Sequence, residues 1–300
     1  MAPAVYLDHC AVSHLAKNKD LAVRLYTAIK SREGTLVISI INLNEFAGFP
    51  SQETALMEAD AADAGFVSLW PNLFFIDIDA GAVTERERMA LGGQLDRRLT
   101  TPCESLQLID SMEKYVEFDG KGMTLAEGIF RNAVRMRSEN ERAVAEMKSG
   151  GVATMTHFRE NVFGTPWYKK ITKNLFREFG KKGPHARRKS TDLFTRLLLV
   201  ALSDQKKALD PNDMVDFTHA CVPSVYCDYV SLDRRWSHLV NQVRMQLANG
   251  GVSMRLATVV APTNEGIERL VEEISALPVT VPTPADLRRF QAALLARSGC

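Results

Sequence analysis

The chain has 300 residues, 37 of them Lys or Arg and 36 Asp or Glu, which gives a formal net charge of +1. This balance argues against a uniformly basic coat protein for nucleic acid and against an acidic solvating chain, but it is compatible with a local basic patch. The 46% of apolar residues is ordinary for a globular protein with a substantial core.

The cysteines are odd in number, scattered along the chain and without a CxxC pair: Cys10, Cys103, Cys221, Cys227 and Cys300. Such usage is typical of structural thiols in a reducing compartment, so we expect a cytoplasmic protein. No apolar run approaches the roughly 18 residues of a membrane-spanning helix, so we expect no membrane partner.

The first 84 residues alternate between strand and helix patterns. An apolar run at residues 5–7 ends in Asp8, and a helical pattern with apolar residues from Leu21 to Ile29 follows. The β-rich runs Thr35–Ile41 and Leu73–Asp79 predict two further strands, and a helix is expected over Gln52–Ala64. Strands that alternate with helices predict an α/β fold with a mostly parallel sheet.

Residues 85–204 have a different pattern, which predicts a large helical insertion into this core. The helical patterns extend over Ala82–Leu99, Leu106–Glu117 and Leu125–Met147, and no convincing strand occurs among them.

Strand and helix patterns then return over residues 205–262. They predict a helix that begins at Pro211, a strand over Asp228–Asp233, a helix over Arg235–Leu247 and a last strand over Arg255–Val260. We therefore assign residues 1–84 and 205–262 to one core. Residues 263–300 are expected to form a C-terminal linker and a helix over Ala285–Arg297.

Acidic residues recur at or just after the predicted strand ends. Asp8 and Asp233 each end a strand, Glu45 follows the second strand, and Asp213 and Asp216 share one helix face. Each acid alone could simply cap a helix. The carboxyl ends of parallel strands form one edge where ligands bind, and a cation such as Mg²⁺ or Mn²⁺ would offset the repulsion among converging carboxylates.

These segments resemble, in chain order, the PIN (PilT N-terminus) family of nuclease domains. The resemblance is carried by Val5-Tyr6-Leu7-Asp8, by residues 38–45, by residues 75–80, by residues 213–220 and by residues 229–236. It implies a PIN-like three-layer fold interrupted by the large helical insertion. It also implies a metal-dependent nuclease that hydrolyses phosphodiester bonds, with RNA favoured over DNA as its partner.

The resemblance implies roles for single residues. Asp8, Glu45, Asp216 and Asp233 would be the catalytic, metal-binding acids, Asp213 could replace or assist Asp216, and Ser231 would be an auxiliary hydroxyl beside the last acid. Asp8, Asp216 and Asp233 would hold one metal directly, whereas Glu45 would act through water or hold a second metal. A homo-oligomer or an inhibitor protein is compatible with the resemblance.

A basic segment at residues 167–189 supplies a candidate nucleic-acid surface. Phosphates attract its cations, and unpaired bases could stack on its interleaved aromatic residues. An amphipathic helix with a solvated basic face and a buried aromatic face is an equally good interpretation. The candidate phosphate-binding residues are Lys169, Lys170, Lys173, Arg177, Lys181, Lys182, Arg187, Arg188 and Lys189.

Two alternatives to a metal-dependent nuclease remain open. The first is a non-catalytic PIN-like module that binds nucleic acid or protein. The second is a phosphohydrolase of the haloacid-dehalogenase type, in which Asp77 would be the nucleophile and Asp79 the acid/base. The residues after Asp79 fit that second pattern poorly.

Overall fold

A computed structural model describes residues 3–39, 74–90, 137–180, 189–205 and 209–278, with the single residues 41, 42, 45, 51, 53, 54, 57, 61 and 62. The strands in these ranges are β1 (Ala4–Tyr6), β2 (Thr35–Ile38), β3 (Phe74–Phe75), β4 (Tyr229–Ser231) and β5 (Thr258–Val260). The helices of the first half are α1 (His9–Lys17), α2 (Lys19–Lys30), α3 (Ala80–Met89) and α4 (Arg137–His157). Those of the second half are α5 (Pro166–Gly180), α6 (Ser190–Ser203), α7 (Pro211–Tyr226), α8 (Arg234–Asn249) and α9 (Asn264–Ala276).

The strands form a five-stranded sheet in the order β3-β2-β1-β4-β5, and every adjacent pair is parallel. Val5 in the central strand pairs with Leu36 on one side and with Tyr229 on the other. The predicted α/β class with a parallel sheet is confirmed, and the carboxyl ends of all five strands point to one edge.

Helices cover both faces of the sheet because its short strands are apolar on both sides. Val5 and Leu36 belong to a core with α1, α2 and α9, whereas Tyr6 and Val37 belong to a second core with α3 and α5 to α8. These strand residues are fully buried, as parallel strands between two helical layers must be.

Most helix starts near the carboxyl edge are set by a side-chain cap. Asp8 caps α1, Asp79 caps α3 and Asp233 caps α8, each accepting hydrogen bonds from backbone N–H groups in the first helical turn. Because each cap directly follows a strand or its short extension, the chain turns sharply from strand to helix there. The acids at this edge therefore have fixed backbone positions.

The described part of the 85–204 region is helical, with a π-helical turn at Phe158–Val162 between α4 and α5. The predicted helices over Leu106–Glu117 and Ala285–Arg297 lie outside the described residues. Helix α9 was not predicted, although Thr263 caps it and its buried residues recur at helical spacing. No helix in the described ranges is long and apolar enough to cross a membrane.

Candidate active site

Asp8 and Asp233 lie at the carboxyl ends of the neighbouring strands β1 and β4. The Asp8 Oδ1 atom accepts hydrogen bonds from the Ala11 N–H at 2.9 Å and from the Ser231 hydroxyl at 3.0 Å. Asp233 Oδ1 accepts from the Trp236 N–H at 2.8 Å. Each carboxylate has a second oxygen, so it can still accept hydrogen bonds while it caps a helix. From the sequence, the Ser231 hydroxyl was expected beside the last acid, Asp233, whereas the structure pairs it with the first acid, Asp8.

Asp216 comes from α7, the helix that precedes β4. Its Oδ2 atom accepts a hydrogen bond from the indole N–H of Trp236 at 3.0 Å. Trp236 is buried and belongs to the first turn of α8, directly after Asp233. This bond ties the Asp216 carboxylate to the same helix start that Asp233 caps.

Glu45 forms an ion pair with His219 of α7, with 3.0 Å between Oε2 and Nε2. Burial lowers the pKa of His219, but the charge and hydrogen bond of Glu45, together with Asp8 and Asp216, outweigh it and raise that pKa. Burial likewise raises the pKa of Glu45, but His219 outweighs it and lowers that pKa. Both shifts favour a protonated imidazole beside an ionised carboxylate.

Asp8, Glu45, Asp216 and Asp233 form one electrostatic cluster, which we call the acid site. Desolvation, with the charge of Glu45, raises the pKa of Asp8 to about 6. Desolvation and the charge of Asp233 raise the pKa of Asp216 to about 6. Desolvation and the charges of all four carboxylates raise the pKa of the neighbouring Cys10 thiol to about 11. The site thus gathers negative charge, and among the described residues His219, His9 and Lys148 offset part of it at Glu45.

The sequence left open whether Asp213 replaces or assists Asp216. In the structure, both carboxylate oxygens of Asp213 have other partners. Its Oδ2 accepts from the Asp210 N–H at 2.9 Å, as part of a capping box at the start of α7. Its Oδ1 pairs with the Arg235 guanidinium, and the side chain is almost fully buried. Asp213 therefore fixes the start of α7 against α8, and Asp216 is the α7 acid of the cluster.

The acid site suits a hard divalent cation by its donor type, because carboxylate oxygens are the ligands that Mg²⁺ and Mn²⁺ prefer. Desolvation is the main cause of the raised pKa values of Asp8 and Asp216, with smaller contributions from the charges of Glu45 and Asp233, and a bound cation would stabilise both carboxylates. Among the residues that the structure describes, no three His, Cys, Asp or Glu side chains stand close enough together to hold a metal ion. Occupancy by a metal would require the carboxylates to approach each other.

Asp77 and Asp79, the pair of the phosphohydrolase alternative, have structural partners. Asp77 Oδ1 accepts from the Asp79 N–H at 2.8 Å, and Asp77 Oδ2 pairs with Arg86 at 2.7 Å. Asp79 Oδ1 accepts from the N–H groups of Gly81 and Ala82. No observation favours a nucleophile at Asp77.

The part of the basic segment up to Gly180 belongs to α5. Lys169, Lys170, Lys173 and Arg177 are exposed, as is the indole of Trp167 at 61%. Phe176 and Phe179 pack on the core, as the amphipathic-helix interpretation expects. Lys189 is partly buried. Lys181, Lys182, Arg187 and Arg188 lie outside the described residues.

Helix α5 ends far from the acid site. A Cβ atom on Gly250, the residue after α8, would lie 2.5 Å from the Phe176 ring. Asp233, which belongs to the acid site, caps the other end of α8. Helix α8 has 16 residues and is therefore about 24 Å long. A strand stacked at the duplex rise of about 3.4 Å per nucleotide would need about seven nucleotides to cover that distance.

Sequence reasoning overlooked the buried polar residues behind the acid site. Tyr6 has the pattern of a core strand residue, and its contacts with Ser39 and His219 join segments far apart in sequence. The sequence alone is compatible with a structural role for His219. Its position three residues after Asp216, one helical turn along the same face, was the available signal.

The chain was also compared with known proteins. No family model, curated protein or solved structure matches it.

Proposed function

We propose that the chain is a metal-dependent nuclease with a PIN-like fold that hydrolyses phosphodiester bonds in RNA. The observation that carries this proposal is the acid site. Four carboxylates from four separate segments influence one another at the carboxyl edge of a parallel sheet, the usual ligand-binding edge of such folds.

Asp8, Asp216 and Asp233 would hold the ion, and Glu45 would contact it through water or hold a second one. A bound Mg²⁺ or Mn²⁺ supplies Lewis acidity, which makes water a stronger nucleophile and offsets charge on the phosphodiester. The chain's own residues orient the ligands. Ser231 and the first turn of α1 hold Asp8, Trp236 holds Asp216, and His219 holds Glu45.

The test is cleavage of end-labelled single-stranded RNA by the full chain in Mg²⁺ or Mn²⁺, in EDTA, and after metal is restored. We expect cleavage that EDTA abolishes and added metal restores, and none by Asp8→Asn. Asn retains the acceptor for Ala11 and Ser231 but removes the charge. Equal cleavage by wild type and Asp8→Asn, or cleavage that persists in EDTA, would rule out the mechanism.

We further propose that the exposed face of α5 binds the RNA backbone. Replacing Lys169, Lys170 and Lys173 by Gln is expected to weaken RNA binding and to reduce its dependence on salt. Each lost phosphate contact removes about 0.7 from the slope of log K against log salt, or about 2 for all three. Fluorescence anisotropy of labelled RNA at several salt concentrations measures this slope.

A matched control replaces Lys17, Lys19 and Lys30, three exposed lysines on α1 and α2 at the other face of the sheet. This variant changes the net charge by the same amount but should leave the slope unchanged. If both triple variants lower the slope equally, RNA responds to overall charge and α5 is not the binding surface.

A further inference from the structure

A buried chain of hydrogen bonds runs behind the acid site from the end of β1 to Glu45. The Asn42 Nδ2 donates to the carbonyl of Leu7 at 2.9 Å, next to Asp8. The Asn42 Oδ1 atom contacts the Ser39 hydroxyl at 3.1 Å, and that hydroxyl contacts the Tyr6 hydroxyl at 2.8 Å. Tyr6 then contacts Nδ1 of His219 at 2.5 Å, and Nε2 of His219 contacts Glu45.

The directions of the bonds from Asn42 to Nδ1 of His219 follow from counting hydrogens. The Ser39 N–H donates to Asn42 Oδ1 at 2.8 Å, which identifies that atom as the amide oxygen. The Ser39 hydroxyl therefore donates its single hydrogen to the same oxygen and must accept from Tyr6. Tyr6 has then used its own hydrogen and must accept from His219. The Nδ1 atom of His219 consequently carries a hydrogen, and Nε2 faces Glu45.

All side chains of this chain of hydrogen bonds except Glu45 are buried. Tyr6, Ser39 and Asn42 are fully buried, and His219 is 2% exposed. A buried hydroxyl or imidazole that lost its partner would be left without water to replace it, so the ring has one favourable orientation. A flip of the His219 ring would break its bonds to both Tyr6 and Glu45.

We propose that His219 is the positioning residue for Glu45. Its Nε2 holds the carboxylate at the acid site, while Tyr6, Ser39 and Asn42 fix the imidazole ring. Because Asn42 also binds the Leu7 carbonyl, one chain of bonds connects the backbone beside Asp8 to the Glu45 side chain. The expected effect of this positioning on metal binding rests on the proposed function. The positioning itself can be tested in the metal-free protein.

The first test is Mn²⁺ affinity, measured by electron paramagnetic resonance titration of the full chain. Tyr6→Phe removes the hydroxyl that accepts from Nδ1 and is expected to weaken Mn²⁺ binding about tenfold or more, as loss of an orienting partner does at metal sites. The matched control is Tyr226→Phe, which removes a buried tyrosine hydroxyl that donates to Glu87 instead. Both variants should lose stability, but only Tyr6→Phe should lose affinity.

Unchanged affinity in Tyr6→Phe, or an equal loss in Tyr226→Phe, would overturn the proposal. Ser39→Ala removes the acceptor for Tyr6 and is the milder second variant should Tyr6→Phe not fold. It is expected to weaken binding in the same direction by a smaller factor, and wild-type affinity in a folded Ser39→Ala protein would count against the proposal.

The second test is independent of the metal and uses NMR of metal-free protein labelled at His and Glu. We expect the His219 ring nitrogens and the Glu45 carboxyl carbon to shift in Tyr6→Phe but not in Tyr226→Phe. If the wild type binds no Mn²⁺, the proposed function fails and these signals alone decide the positioning role. A Glu45 carboxyl signal that does not change in Tyr6→Phe would overturn the positioning role of His219.

Discussion

Asp216→Asn is expected to slow RNA cleavage by about a thousandfold and, at the same time, to raise the stability of the metal-free protein at pH 7. The loss of rate corresponds to removing about 4 kcal/mol of metal-assisted stabilisation of the transition state. Asn keeps an oxygen for the indole N–H of Trp236, so the fold retains that contact. A residue selected for chemistry commonly costs stability in this way.

The gain in stability follows from the pKa of Asp216, which desolvation and the charge of Asp233 raise from 3.8 to about 6. Because the folded state binds this proton more tightly than the unfolded state, wild-type stability falls as the pH rises from about 4 to about 6. An asparagine at position 216 does not titrate, so the Asp216→Asn protein does not lose stability in this way as the pH rises. After discounting for partial exposure, its advantage should be about 1–2 kcal/mol above pH 6 and vanish near pH 4.

Urea unfolding in EDTA at pH 4, 5, 6 and 7.5 measures this difference. In saturating Mn²⁺ the order should reverse, because a bound ion stabilises the wild type. Asp20→Asn, which replaces an exposed acid in the first turn of α2, is the control and should neither gain stability nor lose cleavage. Stability that is lower in Asp216→Asn than in wild type at pH 7.5 without metal would contradict the charge accumulation inferred for the acid site.

The positions of the acids could be predicted because they depend on local patterns. An apolar run that ends in Asp8 or Asp233 predicts a strand end, and parallel strands bring such ends to one edge. The capping role of Asp213 could also have been predicted from the sequence. Asp210 and Asp213 flank Pro211 at capping-box spacing, so the sequence indicates that Asp213 serves the helix start and leaves Asp216 for the site.

The chain behind the acid site could not be predicted, because its contacts join residues far apart in sequence. Tyr6 on β1 and His219 on α7 are 213 residues apart, and only the packing of α7 across the sheet brings them together. Nothing in the local sequence distinguishes Tyr6 from an ordinary apolar strand residue. Periodicity identifies which face is buried, but it does not identify which buried hydroxyl meets which ring.

Glu87→Ala is expected to destabilise the protein by about 3–5 kcal/mol without changing the acid site. Glu87 is fully buried on α3, and its carboxylate accepts from the N–H and hydroxyl of Thr191 on α6 and from the Tyr226 hydroxyl on α7. Alanine would leave these three buried donors without their acceptor. Urea unfolding measures the loss, and Glu85→Ala, an exposed change on the same helix, should cause no measurable loss.

Glu87→Gln separates the charge from the hydrogen bonds. Burial raises the pKa of Glu87, although the bonds from Tyr226 and Thr191 oppose the shift. The folded state therefore binds this proton more tightly, and the contribution of Glu87 to stability falls as the pH rises from about 4.5 through its folded pKa. Gln keeps one acceptor oxygen and does not titrate, so its deficit relative to wild type should shrink between pH 4.5 and pH 8. A deficit that grows over that range would show that Glu87 is stabilised as a carboxylate, because the three donors would then outweigh its burial.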